Sequence, residues 1–319
     1  MDFSSAHTRD LLVIGEALVG LAPEENGALR RSRVLRRLTV GAEVNVAVAA
    51  SRLGHRVTWI GRVGKDISGE AVLDDLRHEG VSIDHAIVDD GAPTGILLRE
   101  KSPLGVARVS YARTHSAGSR LGPEDILPSV VQSHRMVLVS GVTAAISPTG
   151  REAARTLLEL ARDRGITTVF DMNYRATLWS PEEAGPALAS LARLADVVVG
   201  GASEWKIALG IDTPEPELLP QATALIRTAG VQPVEAWVEG KRFVQEAFDA
   251  LPVDVVGAGD AFVGGMISAL LADASWQEAL RQGAFCGARV VSALGDWTNL
   301  PWGEGGMTHI PDDEQEVLR

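Results

Sequence analysis

Apolar and polar residues alternate along this chain in two periods, one typical of strands and one typical of helices. The short apolar run "LLVIG" at residues 11–15 predicts a buried strand. In "VNVAVAASRLG" at residues 44–54, apolar residues recur three and four apart, which predicts a helix that Gly54 ends. Strand and helix patterns continue to alternate as far as the apolar helix "GDAFVGGMISALLA" at residues 259–272. We therefore expect an α/β fold, a three-layer αβα sandwich around a mostly parallel sheet.

Two segments interrupt this alternation, residues 18–40 and residues 91–113. Most of the first segment is polar and rich in arginine. The second segment alternates apolar and polar residues on both sides of "SPLG", which predicts a β-hairpin. Each follows an early part of the strand–helix alternation, so both should leave the same edge of the main sheet. We expect residues 1–319 to form one domain in which these two segments build a small β-sheet lid.

Composition and charge narrow the classes of function. The chain has 319 residues, of which 45% are hydrophobic, so it can bury a large core. Its net charge is −12 and it has no basic run with interleaved aromatic residues, which argues against nucleic acid as a partner. The negative charge would repel anionic ligands at long range, so a site for such a ligand needs local positive charge.

The chain carries few other signals of chemistry or targeting. The single cysteine, Cys286, excludes a disulfide framework and lies in an apolar stretch, so we expect a buried structural thiol. The seven histidines are scattered without the spacing of metal ligands. The first ten residues contain no apolar stretch, and no apolar run reaches 18 residues, so we expect a soluble, cytoplasmic protein without membrane contact. Exposed strand edges of the lid favour a homo-oligomer.

The segment "VDVVGAGDAF" at residues 253–262 places Gly257, Ala258 and Gly259 directly before Asp260. One interpretation is a tight turn from a strand ending near Val256 into a helix, with Asp260 as the N-cap. The other is an anion-binding cradle, in which backbone N–H groups at the helix start hold a phosphate and Asp260 accepts a proton from a hydroxyl. This segment alone leaves both interpretations open.

Four segments, in order along the chain, resemble the ribokinase-like, PfkB-type family of carbohydrate kinases. They are "GAEVNVAVAASRLG" (41–54), "GRVGKDISGEAVLDDLRHEGV" (61–81), "DMNYRATLW" (171–179) and "DVVGAGDAF" (254–262). The resemblance covers nearly the whole chain and implies transfer of the γ-phosphoryl group of ATP to a sugar hydroxyl. It implies that Asp260 is the base, that Gly257, Ala258 and Gly259 form the anion hole, and that Gly257, Gly259 and Ala284 lie on the nucleotide side.

Within this family the chain is most similar to the 2-keto-3-deoxygluconate kinases, through "TGILLREKSPLGVARVSYARTHSAGSRL", "DMNYRATLWSPEEA" and "GDWTNLP". The resemblance implies that the product is the 6-phosphate. It also implies six substrate-binding residues: Gly41 and Asn45 under the sugar, Tyr111 and Arg113 from the lid, Arg175 at the keto-acid end, and Asp296 as a further acid. A planar guanidinium suits a carboxylate substrate. Without the resemblance two interpretations of each residue stay open: Arg113 is either a ligand contact or a solvated charge on an edge strand, and Asp296 is either a substrate-side acid or a turn residue.

The resemblance also implies cofactors, namely ATP and Mg²⁺, and leaves a monovalent cation open. Glu204 matches the acidic end of the Asn-x-x-Glu motif that organises Mg²⁺ through water, but Gly201 stands where the motif has asparagine. Ala284 replaces an asparagine that many relatives have near the adenine. Residues 230–241 are too short for the expected strand and glycine turn, so we expect a missing strand or an omitted segment.

These departures keep two alternatives to the 2-keto-3-deoxygluconate kinase open. One is a kinase of the same family that acts on fructose, ribose or another sugar acid. The other is a catalytically impaired protein that binds a sugar acid. The pair Arg113 and Arg175 favours a charged substrate, because a neutral sugar would not compensate the desolvation of two guanidinium groups.

Overall fold

The computed structural model of the protein describes residues 8–24, 29–101 and 107–310. The strands are β1 (Arg9–Ile14), β2 (Leu18–Pro23), β3 (Leu35–Val40), β4 (Val57–Ile60), β5 (Arg62–Gly64), β6 (Ile87–Asp89), β7 (Ile96–Lys101), β8 (Ala107–Ala112), β9 (His134–Ser140), β10 (Thr167–Asp171), β11 (Val197–Gly201), β12 (Ala224–Thr228), β13 (Val234–Val238) and β14 (Lys241–Gln245). The helices are α1 (Ala42–Arg52), α2 (Ile67–His78), α3 (Pro128–Val131), α4 (Gly141–Ile146), α5 (Pro148–Arg162), α6 (Pro181–Ala192), α7 (Ala202–Leu209), α8 (Ala258–Leu271) and α9 (Trp276–Val291).

Eight strands form the main sheet, in the order β14-β13-β12-β11-β10-β9-β1-β4. The six strands from β12 to β4 are parallel to their neighbours, whereas β13 and β14 pair antiparallel at one edge. The predicted mostly parallel sheet is therefore confirmed. No helix in the described ranges has both the length and the apolar character to cross a lipid bilayer.

Helices cover both faces of the main sheet, because successive side chains of a buried strand point to opposite faces. Leu11 and Val13 of β1 belong to a core that includes residues of α1, α8 and α9, whereas Leu12 and Ile14 belong to a second core with residues of α5 and α6. The three-layer αβα architecture predicted from the sequence is thus confirmed.

Small residues bring α1 and α8 unusually close. A Cβ atom at Gly264 of α8 would lie 2.5 Å from the Cβ atom of Ala49 on α1, so the two helices can pack this closely only because position 264 has no side chain. On the other side of α8, Gly265 packs against Cys286 of α9. The thiol of Cys286 is buried, which raises its pKa to about 12 and agrees with a structural residue rather than a nucleophile.

A separate four-stranded sheet, here called the small sheet, lies over the carboxyl ends of the main strands in the order β3-β2-β7-β8. β2 pairs antiparallel with β3 and parallel with β7, and β7 pairs antiparallel with β8. Leu97 and Arg99 of β7 share one face with Val109 and Tyr111 of β8, as expected from the period of two, and all four line the cavity described below. The tip of the hairpin, residues 102–106, lies outside the described residues.

Two expectations about local structure are wrong. The strand thought to be missing is present as β12, which pairs with β11 and β13 and is followed by a turn through Gly230. The segment before Gly257 is not a strand; it is irregular backbone, in which the N–H groups of Val253 and Asp254 donate to the carbonyl oxygen of Val291. Val255 is 63% exposed, so burial of its side chain does not favour an extended strand in this segment.

Candidate active site

A cavity of about 630 Å³ lies between the small sheet and the carboxyl ends of β10 and β11. Ligands of open α/β sheets bind at this end of the strands. Backbone and side chains of the start of α1 and the start of α8 also line it. Its polar and charged lining residues are Glu16, Asn45, Arg99, Tyr111, Arg113, Asp171, Asn173, Tyr174, Arg175, Thr177, Glu204, Thr228, Asp260 and Asp296.

The start of α8 is built from glycine for two geometric reasons. Gly257 is the N-cap with φ +84°, and a Cβ atom there would lie 2.8 Å from the carbonyl oxygen of Asp296. Gly259 faces open space, because a Cβ atom there would meet no atom within 4 Å. The first N–H groups of a helix lack partners within the helix. Here they lie beside the cavity with no side chain in front of them, which is the geometry of an anion cradle.

Asp260 is the third residue of α8 and does not cap the helix, so its interpretation as N-cap is wrong. Its carboxyl group is buried and accepts hydrogen bonds from the Nδ2 atoms of Asn45 (2.7 Å) and Asn173 (3.0 Å). Burial raises the pKa of Asp260 to about 6, although Arg175 and the two amides oppose the rise. A carboxylate with a pKa near the working pH is well suited to accept a proton.

Activity should therefore rise with pH as Asp260 loses its proton. Because the base must be ionised, and because burial raises its pKa to about 6, we expect kcat/KM to increase through pH 6 and to level off above pH 7. The measurement is initial rate against pH between 5 and 8 at a constant, high ATP concentration. A profile that is flat over this range would contradict a base that titrates near pH 6.

Amide side chains join Asp260 to two further buried acids. Nδ2 of Asn173 donates to Asp260 and to Asp171 (2.9 Å), and Nδ2 of Asn45 donates to Asp260 and to Asp296 (3.2 Å). Burial and the nearby carboxylates of Glu204 and Asp260 raise the pKa of Asp171 well above its usual range. The three acids therefore form one hydrogen-bonded row along the floor of the cavity.

Asn173, two residues after the end of β10, adopts a left-handed backbone conformation with φ +35°. This conformation is uncommon for residues other than glycine, and asparagine tolerates it better than most. It accompanies the placement of the Asn173 amide between Asp171 and Asp260. From the sequence no role was predicted for Asn173, although it lies within "DMNYRATLW".

Arg113 lies in the cavity wall, but its charge already has a partner. Its guanidinium forms an ion pair with the buried carboxylate of Glu16 and lies 5.1 Å from the ring of Tyr111. Glu16 also accepts a hydrogen bond from Ser116; burial raises its pKa, while Arg113 and Ser116 lower it. No role was predicted for Glu16 from the sequence, although an acid two residues after the buried strand β1 is a signal for this edge of the sheet.

Arg175 and Gly41 both line this cavity. The side chain of Arg175 is exposed, and no carboxylate lies within ion-pair distance of it in the described ranges. Gly41 is the N-cap of α1, and a Cβ atom there would clash with the carbonyl oxygen of Glu16. The absence of a side chain at Gly41 thus lets the start of α1, with Asn45, reach the cavity.

The predicted magnesium and adenine residues are placed differently. Glu204 lines the cavity, and its carboxylate accepts from the backbone N–H groups of Tyr174 (2.7 Å) and Gly201 (2.5 Å), so it is firmly held. Among the described residues, no group of three or more acids, histidines or cysteines could hold a metal ion without help from a ligand. Ala284 on α9 and Ala258 do not line the described cavity. The roles of these residues stay predictions.

A buried acid beside a glycine-lined helix start, facing a cavity under a small sheet, is the arrangement expected of an enzyme that transfers a phosphoryl group to a hydroxyl. Comparison with known proteins agrees: the model of the pfkB family of carbohydrate kinases matches residues 8–303. The chain belongs to this family, and kinases of this family use ATP with Mg²⁺.

Similar proteins include sugar-acid kinases from archaea and a solved bacterial structure. The 2-dehydro-3-deoxygalactonokinase of Haloferax volcanii is 32% identical, over 98% of this chain and 97% of that protein. The 2-dehydro-3-deoxygluconokinase of Thermoproteus tenax is 33% identical, over 97% and 94% of the two chains. The crystal structure of a PfkB protein from Polaromonas sp. JS666 is 34% identical, with a TM-score of 0.83 over 90% of this chain and 97% of that one.

Proposed function

We propose that this protein is an ATP-dependent kinase that phosphorylates 2-keto-3-deoxygluconate to its 6-phosphate. The observation that carries the proposal is the cation Arg175, which lines the same cavity as the buried acid Asp260 and has no carboxylate within ion-pair distance among the described residues. A guanidinium without a carboxylate partner in a ligand cavity favours an anionic substrate, because its planar donors match a carboxylate in two parallel hydrogen bonds.

The geometry supports a direct role for Asp260 in the transfer. One of its carboxylate oxygens would accept the proton of the attacking sugar hydroxyl, while the amides of Asn45 and Asn173 keep the carboxyl group aimed into the cavity. The N–H groups at Gly257, Ala258 and Gly259 would hold the transferred phosphoryl group as negative charge moves onto its bridging oxygen. Mg²⁺, bound mostly through the phosphates of ATP, would supply further charge neutralisation, and Glu204 lies where it could contact bound water.

The remaining predicted contacts surround the sugar. Tyr111 and Arg113 would cover it from the small sheet, with Arg113 already oriented by Glu16. Asn45 and Asp296 would bind its hydroxyls from below, next to Gly41. Arg175 would hold the carboxylate, and the terminal hydroxyl would lie at Asp260.

The decisive experiment is a coupled assay of ADP release over a panel of acceptors. The panel contains 2-keto-3-deoxygluconate, its galacto epimer, gluconate, fructose and ribose. We expect the 2-keto-3-deoxy acids to have the highest kcat/KM and the neutral sugars to be poor acceptors. A neutral sugar as the best acceptor would contradict the proposed substrate. ADP release with none of them, together with calorimetric binding of a sugar acid, would contradict the proposed catalysis.

A further inference from the structure

Arg99 is a buried cation that the mechanism above does not use. It lies on β7 of the small sheet, and its side chain is only 4% exposed. Its guanidinium forms ion pairs with two buried acids that lie outside the small sheet, Asp254 and Asp296. The distance from Arg99 to Asp296 is 2.8 Å. A buried guanidinium between two carboxylates costs much desolvation, so these ion pairs are weak evidence for a role in stability alone.

Both partners of Arg99 act on the start of α8. Asp254 accepts a hydrogen bond from the backbone N–H of Val256 (3.3 Å) and so shapes the irregular segment that leads into Gly257. Asp296 accepts from Nδ2 of Asn45, the same nitrogen atom that donates to Asp260. Gly257 also packs directly against the backbone of Asp296.

These contacts form one continuous path from the small sheet to the proposed base. It runs from Arg99 through Asp296 and Asn45 to Asp260, and a second branch runs through Asp254 to the anion cradle. The planar fork of arginine can serve both carboxylates at once, which the compact charge of lysine cannot do as well.

We propose that Arg99 is a positioning residue for phosphoryl transfer, which aligns both Asp260 and the Gly257–Gly259 cradle by holding Asp296 and Asp254 from the small sheet. The proposal rests on the proposed function in one respect, that Asp260 is the base. It does not depend on which sugar is the acceptor, so the test uses whichever acceptor the panel assay finds best.

The first measurement compares Arg99→Met with the native enzyme. Because misplacement of a reacting group by about 1 Å can cost on the order of 10²-fold in rate, we expect kcat to fall by roughly that factor, with a much smaller change in the KM for ATP. The matched control is Arg108→Met on the neighbouring strand β8, since Arg108 is 82% exposed and outside the cavity lining. Arg108→Met should change kcat by no more than about two-fold. Substitution of an exposed side chain usually changes stability little, so the structure around the site should stay intact.

The pH profile separates positioning from a merely structural role. The charged groups that act on Asp296 are Arg99 from the small sheet, Asp254 from the segment before α8, and Asp260 from α8. Burial raises the pKa of Asp296, and Arg99 opposes that rise. Without Arg99, Asp296 should hold its proton to higher pH, and a protonated Asp296 is a weaker acceptor for Nδ2 of Asn45. The kcat of the variant should therefore keep rising at pH values where the native profile is already level. The activity deficit of Arg99→Met should shrink as pH rises from 6 to 9.

A double-mutant cycle with Asp296→Asn tests whether Arg99 acts through that acid. We expect Arg99→Met to lower kcat far less in the Asp296→Asn background than in the native one, since contacting residues of one network are not additive. If Arg99→Met does not fold, Arg99→Lys carries the test: lysine keeps the charge but loses the planar fork, so we expect a smaller loss of kcat and a smaller change of the pH profile. Additive losses with an unchanged pH profile, or native kcat in Arg99→Lys at all pH values, would overturn the proposal.

Failure of the proposed function would look different. If Asp260→Asn keeps native activity, the base assignment is wrong, whatever the Arg99 variants do. If Asp260→Asn is inactive and the Arg99 variants show losses that are additive and independent of pH, only the role of Arg99 is wrong.

Discussion

Replacement of Asp260 by asparagine should lower kcat by on the order of 10²–10⁴, the usual range for loss of a general base. Asparagine keeps the size of the side chain and can still hydrogen-bond to one of the two amides that hold Asp260, Asn45 and Asn173. It cannot accept the proton of the acceptor hydroxyl. The measurement is kcat at pH 8, where the native carboxyl group, with a pKa of about 6, is ionised.

Folding of the Asp260→Asn variant must be checked separately, because Asp260 is buried. In the folded protein its pKa is raised from 3.8 to about 6, so the native state binds more protons than the unfolded chain between these values. An ionised Asp260 therefore costs stability, and this cost accumulates as pH rises from about 4 to about 6 and stays constant at higher pH. Thermal unfolding at pH 8 should show that the variant is about as stable as the native protein. Turnover within a few-fold of native would show that Asp260 is not the base.

Removal of Arg175 should change substrate preference rather than general activity. Loss of one partner of a hydrogen-bonded charge pair in a closed site costs about 2–5 kcal/mol. We use the lower end, because Arg175 is exposed in the absence of a ligand. Arg175→Ala should then lose roughly 30-fold or more in kcat/KM on 2-keto-3-deoxygluconate relative to the matching substrate whose carboxylate is replaced by an alcohol.

The ratio of the two kcat/KM values is the quantity to measure. Arg175 also lowers the pKa values of Asp260 and Asp171, so its loss should disturb the base equally for both substrates. That shared effect cancels in the ratio, which leaves the contact with the carboxylate. Arg155→Ala is a suitable control, since Arg155 is exposed on α5 and pairs only with Glu159 in the described structure. Equal losses on both substrates would remove the main physical support for a sugar acid.

The main sheet and its helices could be predicted because their signal is local. A run such as "LLVI" in β1 is apolar throughout, since both of its faces are buried, and the end of α1 is marked by Gly54 with φ +96°. The glycine-rich start of α8 was visible for a similar reason, because its backbone approaches both a neighbouring loop and a cavity. Burial and backbone conformation of this kind are encoded by residue types only a few positions apart, so they can be predicted from the sequence.

The edge of the main sheet was predicted poorly because its strands are short and only partly buried. β12 buries only its first three residues, and β13 alternates between buried and partly exposed positions. Because neither pattern is a strong strand signal, we expected a missing strand where β12 and β13 in fact form a meander. The opposite error occurred at residues 253–256, where a valine-rich stretch with no sheet neighbour stays irregular. Hydrophobic pattern alone does not show whether an adjacent strand is available for pairing.

The amino-acid sequence by itself determined the layers of this protein and the place of Asp260 behind three small residues. Only the tertiary structure decided which groups surround that acid. Asn45 lies 215 positions from Asp260, and Arg99 lies 197 positions from Asp296. Their contacts exist because Gly264 lets α1 pack against α8 and because the small sheet covers the cavity. Partners of buried charges depend on such long-range packing, which leaves no local pattern in the sequence.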